Sequence, residues 1–257
     1  MDDDQFMTIV QQRAGLDRAG AERATRATLE TLSQLLSQER LEDLRFWLPE
    51  PVQQWVTPGP VVRFDVHEFL RRVAAREEID VSTVERHVRA VFHALGHALP
   101  PMALTALATE LPRQFWPLVD HAARGWVEYM PADEFLRRVA ERSGLDLEAA
   151  RRATDAVLET LAARISGRDV DHLIGELSIE LHPPLWRGRE KSHGASGPVS
   201  LDEFLELVAE REGVLREEAR DHTRAVLATL REAIPDKEFS RLTAHLPSGF
   251  EPLLMTR

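Results

Sequence analysis

A chain of 257 residues that is 43% hydrophobic and 29% charged is too apolar for global disorder and long enough for one or two buried cores. It contains no cysteine, which excludes disulfides, thiolate metal ligands and cysteine nucleophiles; a net charge of −11 disfavours nucleic-acid backbones and anionic membranes as partners. The start "MDDDQF" lacks the basic flank and apolar run of a signal peptide, and no window approaches the roughly 20 apolar residues of a membrane span, so a cytoplasmic location is expected.

The first predicted helix, "QFMTIVQQR" from Gln5 to Arg13, is preceded by a capping box of Asp2 with Gln5 and followed by Gly15, a left-handed C-terminal cap. The same helix returns three times. "EFLRRVA" stands at Glu68–Ala74 behind a second capping box, Asp65 with Glu68, and letter for letter at Glu134–Ala140 before Gly144; "EFLELVAER" runs from Glu203 to Arg211 behind a third, Ser200 with Glu203, and before Gly213. Shifts of 63, 66 and 69 residues carry Phe6 onto Phe69, Phe135 and Phe204, and Leu32 onto Leu95, Leu161 and Leu230. Each copy continues into a second helix, as in Ala150, Ala153, Val157, Leu158, Leu161 and Ile165 at a period near 3.6, and a third, as in Val170, Leu173, Ile174 and Leu177. Nothing alternates with strand period, so the class is all-α: four copies of a three-helix unit.

A longer period lies over the first. Gly15–Leu32 equals Gly144–Leu161 at 12 of 18 positions, and "LPRQFWPLV" at Leu111–Val119 matches "LPSGFEPLL" at Leu246–Leu254. The arrangement is therefore two tandem two-unit helical domains, 1–122 (units 1–58 and 63–122) and 131–257 (units 131–186 and 200–257), with residues 187–199 expected as a flexible linker. One unit buries too little surface to be stable alone, so the two units of a domain should pair face to face. The closing motifs of units two and four, with no counterpart expected in units one and three, should lock each even unit onto its odd partner.

The recurring signature F-L-x-x-V-A-x-R, then G-L, A-V-L-x-T-L and a final L-P-x-x-F-x-P-L, resembles the bacterial domain of unknown function 2267. The resemblance spans nearly the whole chain as two copies, Met1 to about Val119 and about Pro131 to Leu254; Met7 and Ser178 depart from it, where leucine and proline are usual. It implies a two-unit helical fold; the family's activity is unassigned, so no catalytic residues carry over.

The search for chemistry is mostly negative. His93 and His97 have the i, i+4 spacing of a metal pair, but Ala94 stands where a zinc hydrolase carries glutamate, and both read as exposed side chains. His87 and His222 occupy one position in the even units, where the odd units hold Ala24 and Ala153. A histidine there is either a structural hydrogen bonder or a pH-responsive switch. Arg13, Arg76, Arg142 and Arg211 recur in all four units, in the last turn of the first helix, where a cation complements the macrodipole. "HGASG" lacks the spacing of a nucleophile elbow, and no phosphate-cradling loop or isolated carboxylate is present. The tryptophans fall at unit ends, as seals or, for Trp55, Trp116 and Trp186, as contacts for a partner.

The expectation is a non-enzymatic helical-repeat protein without cofactor or resident metal, a protein-interaction or scaffold module binding another protein or itself. The alternative is a small-ligand or pH-responsive regulatory domain using crevices between units.

Overall fold

The structure, a computed structural model, describes residues 1–191, 200–244, 246 and 248–254. It is all-α, with no strand among the described residues. The chain divides into two compact bodies, Met1–Val127 and Glu128–Arg257.

In the first body the helices are α1 (Asp3–Ala14), α2 (Arg18–Ser33), α3 (Gln38–Trp47), α4 (Glu50–Gln53), α5 (Val66–Glu77), α6 (Val81–Ala98), α7 (Pro101–Glu110) and α8 (Trp116–Arg124). The second repeats the order as α9 (Ala132–Ser143), α10 (Leu147–Ala162), α11 (Gly167–Glu176), α12 (His182–Lys191), α13 (Leu201–Glu212), α14 (Arg216–Ala233), α15 (Asp236–Thr243) and α16 (Glu251–Leu254).

Local signals place the helix ends as expected. Asp2 and Gln5 form the full reciprocal box, with the Gln5 amide 2.8 Å from Asp2 and the Asp2 amide 3.2 Å from the Gln5 side chain. The other two expected boxes are only half formed: Asp65 and Ser200 accept from the Glu68 and Glu203 amides, but the Glu68 carboxylate turns away to Arg71 and Arg72 and the Glu203 carboxylate to Arg164. Gly15, Gly144 and Gly213 are left-handed, with φ of 73°, 71° and 77°; in unit two Glu78 takes that conformation at φ 58°, the one position in the set where a side chain carries the strain.

Packing within each body is crosswise. The second helices α2 and α6 lie against one another, α1 packs on α6, and α5 packs on α2. The second body repeats this with α10 against α14, α9 on α14 and α13 on α10. Neither unit closes over its own apolar stripe, which is why the units occur in pairs. Most buried threonines within the stripes donate their hydroxyl to the carbonyl four residues back, as Thr31 does to Ala27 and Thr160 to Ala156, both at 2.7 Å, whereas the Thr28 and Thr223 hydroxyls are buried without a hydrogen-bond partner.

Four expectations are corrected. Each unit carries a fourth, closing helical segment beyond the three read from the sequence. The closing segment is not confined to the even units: Ile179–Leu181 forms a 3-10 turn that leads into α12 in unit three, and Pro49 leads into α4 in unit one. Val52, Phe115, Leu181 and Phe250 hold the equivalent anchor position, and none is more than 1% exposed. The odd units escaped notice because Val and Leu replace Phe at the anchor. The anchors also lock a unit onto its own first helix rather than onto its partner: the Phe115 ring lies edge-on to Phe69 of α5 at 5.2 Å, and Phe250 to Phe204 of α13 at 5.1 Å. Finally, Arg187–Lys191 of the expected linker belong to α12, while 192–199 lie outside the described residues, as does Pro247 of the closing motif.

Candidate functional site

The histidines of the even units are paired with carboxylates. His87 Nδ1 lies 2.7 Å from Glu77 Oε2, and His222 Nδ1 lies 2.6 Å from Glu212 Oε1, each joining the last turn of a first helix to its second helix. Both pairs are nearly sealed from water. The remaining oxygens, Glu77 Oε1 and Glu212 Oε2, are buried without a hydrogen-bond partner. Burial raises the Glu212 carboxyl above its ordinary range, against the pull of His222. Where the even units place Glu and His, the odd units place Ala14 with Ala24 and Ser143 with Ala153.

His93 departs from the expectation of an exposed side chain. It is 6% exposed, wedged edge-on between His97 at 4.8 Å and Trp126 at 5.7 Å, and its Nδ1 is buried without a partner. Burial, then the proximity of His97 and Arg13, lowers its pKa to about 4, so the ring is neutral at neutral pH. His97 is exposed, as expected. Among the described residues no group of three or more His, Cys, Asp or Glu side chains is placed to hold a metal ion.

The four recurring arginines reach across the pair of units. Arg76 approaches Glu30 of α2 at 3.6 Å, Arg142 binds Glu232 and Thr229 of α14 at 2.5 and 2.7 Å, and Arg211 binds Glu159 and Thr160 of α10 at 3.4 and 2.9 Å. Arg13 meets instead a second helix carrying His93, Ala94 and His97 at the corresponding places, and its guanidinium lies over Trp126 at 5.4 Å. The arginines therefore bind units together, in addition to the dipole role expected of them.

Glu159 is the hub of the second body, receiving Arg187 at 2.8 Å and Lys191 at 2.5 Å besides Arg211. Its burial favours the neutral acid, but hydrogen bonds from Lys191 and Arg187 outweigh it and hold the carboxyl at about 2. A folded-state pKa below the ordinary value near 4.3 stabilises the fold above that pH, and the contribution is lost as pH falls toward 2. Glu159→Gln should cost about 1–3 kcal/mol at pH 7, discounted because the Arg187 and Lys191 side chains are half exposed. Urea unfolding of both proteins should show that gap narrowing at pH 3.5; an equal gap at both pH values would assign the loss to packing.

Charge also crosses the seam between the second helix and the closing helix of units two and three. Arg89 of α6 donates to Glu85 at 2.8 Å and lies 2.9 Å from His121 Nδ1 on α8, with Glu85 and Arg89 both buried. At the equivalent positions of unit three stand Arg151, Asp155 and Arg187, where Asp155 lies 3.5 Å from Arg151 and 3.7 Å from Arg187. Acid and base are exchanged on the second helix between these two units.

The tryptophans divide. Trp55, Trp126 and Trp186 are half-buried; Trp186 packs against the second core under Arg189, at 5.7 Å. Trp116 is 37% exposed beneath Arg124, and Trp47 is 42% exposed. Trp47 stands edge-on to Phe46 at 4.9 Å, and Phe46 is 77% exposed. Contacts of Arg40 and of the Ser37 amide with Glu110 join the start of α3 to the end of α7. Phe46 and Trp47 form one apolar tip at the end of α3, and Met102, at the start of α7, is 81% exposed. The second body holds Gly175, Glu176 and Lys237 at these places. Repeat alignment could have flagged Phe46 and Met102, which occupy positions that are polar or glycine in that body.

A family model described as an uncharacterized conserved protein, DUF2267, matches residues 3–118 and 132–253. No curated protein and no solved structure matches the chain.

Proposed function

The chain belongs to the DUF2267 family, as two tandem copies of its domain, and from that premise we propose that it is a non-enzymatic protein-interaction or scaffold module of the bacterial cytoplasm. The observation that carries the reading is the exposed tip of Phe46 and Trp47 at the end of α3, with Met102 exposed at the start of α7. Large apolar side chains left open to solvent oppose solubility and mark contact surfaces. The charge of −11 speaks against nucleic acid and anionic membrane as the partner, and no described helix is long and apolar enough to cross a membrane. The titratable groups support the same reading: the His–Glu pairs and the contacts of Arg142 and Arg211 join helices within one body. Capture from native extract with the full chain and with Phe46→Ser/Met102→Ser provides the test. A stoichiometric partner retained by the first and lost by the second is expected; turnover of any metabolite by the purified chain would defeat the proposal.

The second reading, a small-ligand or pH-responsive regulatory domain, draws on the buried His–Glu pairs and the unpartnered His93 Nδ1. It requires a thermal shift with some metabolite or metal that His87→Ala or His222→Ala abolishes. Without such a shift in wild type, this reading falls.

A further inference from the structure

The outer face of α3 has two unlike ends. At one end stand Phe46 and Trp47. Toward the start of α3 the exposed residues are Gln38, Glu39, Glu42 and Asp43. Cations on this helix are committed elsewhere: Arg40 pairs with Asp43 at 2.6 Å and with Glu110 at 3.4 Å, and Arg45 donates to the Val56 carbonyl at 2.9 Å. α7, "PMALTALATE", brings no positive charge. The charge left free on the face is negative, carried by Glu39 and by Glu42, whose one described contact is the Gln38 amide.

We infer that this face docks an amphipathic basic helix of another protein, one presenting a large apolar anchor with lysine or arginine one and two turns along. The inference rests on the interaction reading above and specifies its partner. The spacing follows from helix geometry: at 1.5 Å per residue Glu42 lies ~6 Å and Glu39 ~10 Å along α3 from Phe46, and one helical turn advances ~5.4 Å. A helix laid beside α3 thus presents residues i, i+4 and i+7 to the anchor site and the two carboxylates in turn, the usual helix-in-groove pattern. A second copy of this chain fits poorly. Antiparallel pairing of the face with itself sets each apolar tip against the other's carboxylates, and parallel pairing sets carboxylates together.

The probe is an 18-residue synthetic helix of leucine and lysine, with leucine along one stripe, and a control with glutamate for every lysine. Binding is read by anisotropy of the labelled peptide against the full chain. The lysine peptide should bind with an affinity that falls with salt, and the glutamate peptide should not. Phe46→Ser/Met102→Ser, which leaves the charge unchanged, should weaken binding at least about tenfold. Glu39→Gln/Glu42→Gln should weaken it about threefold and flatten the salt dependence. Leu147→Ser/Leu215→Ser removes exposed apolar side chains at other places, 59% and 69% exposed, and should leave binding unchanged. Circular dichroism melts verify that each variant is folded. Equal losses in both serine variants, binding of the glutamate peptide, or a dimer in sedimentation that Phe46→Ser dissolves would each overturn the inference. If the peptide fails while the capture experiment still yields a partner lost with Phe46→Ser/Met102→Ser, the chemistry assigned to the partner is wrong and the interaction reading stands. If both fail, both fall.

Discussion

Replacing Phe115 with alanine is expected to destabilise the first body by about 3–5 kcal/mol, the range for emptying a fully buried phenylalanine site. The ring is inaccessible to water and lies edge-on to Phe69, which in turn stands 6.4 Å from Phe92 of α6, so its removal opens the meeting point of three elements. Pro112 and Pro117 flank it and hold the return stiff, which limits how far the segment can collapse into the void. Phe250→Ala should behave alike in the second body, where the ring meets Phe204. Chemical denaturation of each variant gives the answer, with Met102→Ala at an exposed position of α7 as the comparison expected to cost almost nothing. A loss below about 1 kcal/mol at either phenylalanine would mean that the closing segment is not part of the core.

The second large effect is expected at Gly96. A methyl group there would stand 1.8 Å from the Ala122 carbonyl oxygen, so Gly96→Ala must drive α8 off α6. Overpacking of this kind costs about 1–3 kcal/mol and more when backbone has to move; we expect the upper end, partly offset by the helix preference of alanine over glycine. The second body shows the same seam solved in reverse. Gly188 of α12 takes the place of Ala122, and Ala162 of α10 takes the place of Gly96; a methyl at Gly188 would stand 2.3 Å from the Glu159 carbonyl and 2.7 Å from the Ala162 methyl. One small residue from either helix suffices, provided the other is no larger than alanine. Ala122→Gly added to Gly96→Ala should therefore recover part of the loss, as α8 settles toward the placement of α12. A double-mutant cycle reads that coupling, expected at about 0.5–3 kcal/mol. Strict additivity would show that the two seams are not interchangeable.

The local architecture was legible in the residues. Helices form through contacts three and four positions apart, so the stripe of Phe135, Val139, Ala150, Val157 and Leu161 and the caps at Gly15, Gly144 and Gly213 carry their own information. Tandem duplication was equally open, because it is a property of the string. The candidate site was legible only in part. His87 and His222 stood out by recurrence, but their partners Glu77 and Glu212, ten residues earlier, looked like ordinary polar positions at a helix end. Only the crossing of first and second helices turns those carboxylates inward. His93 read as solvent-facing because the matching residues Glu30 and Glu159 are acids; burial at that place comes from what covers it, His97 and Trp126 in one body and the tips of Arg187 and Lys191 in the other.

The amino-acid sequence by itself determined the helices, their ends and the pairing of four units into two domains. Tertiary structure alone decided that α1 lies on α6 and α5 on α2, that a closing segment exists in every unit, and that Glu85, Arg89 and His121 meet in one seam while Arg151, Asp155 and Arg187 meet in its counterpart. The division has a physical cause. Backbone hydrogen bonding and capping depend on near neighbours, whereas the burial of a side chain, and the charge it must face there, depend on which distant surface arrives to cover it.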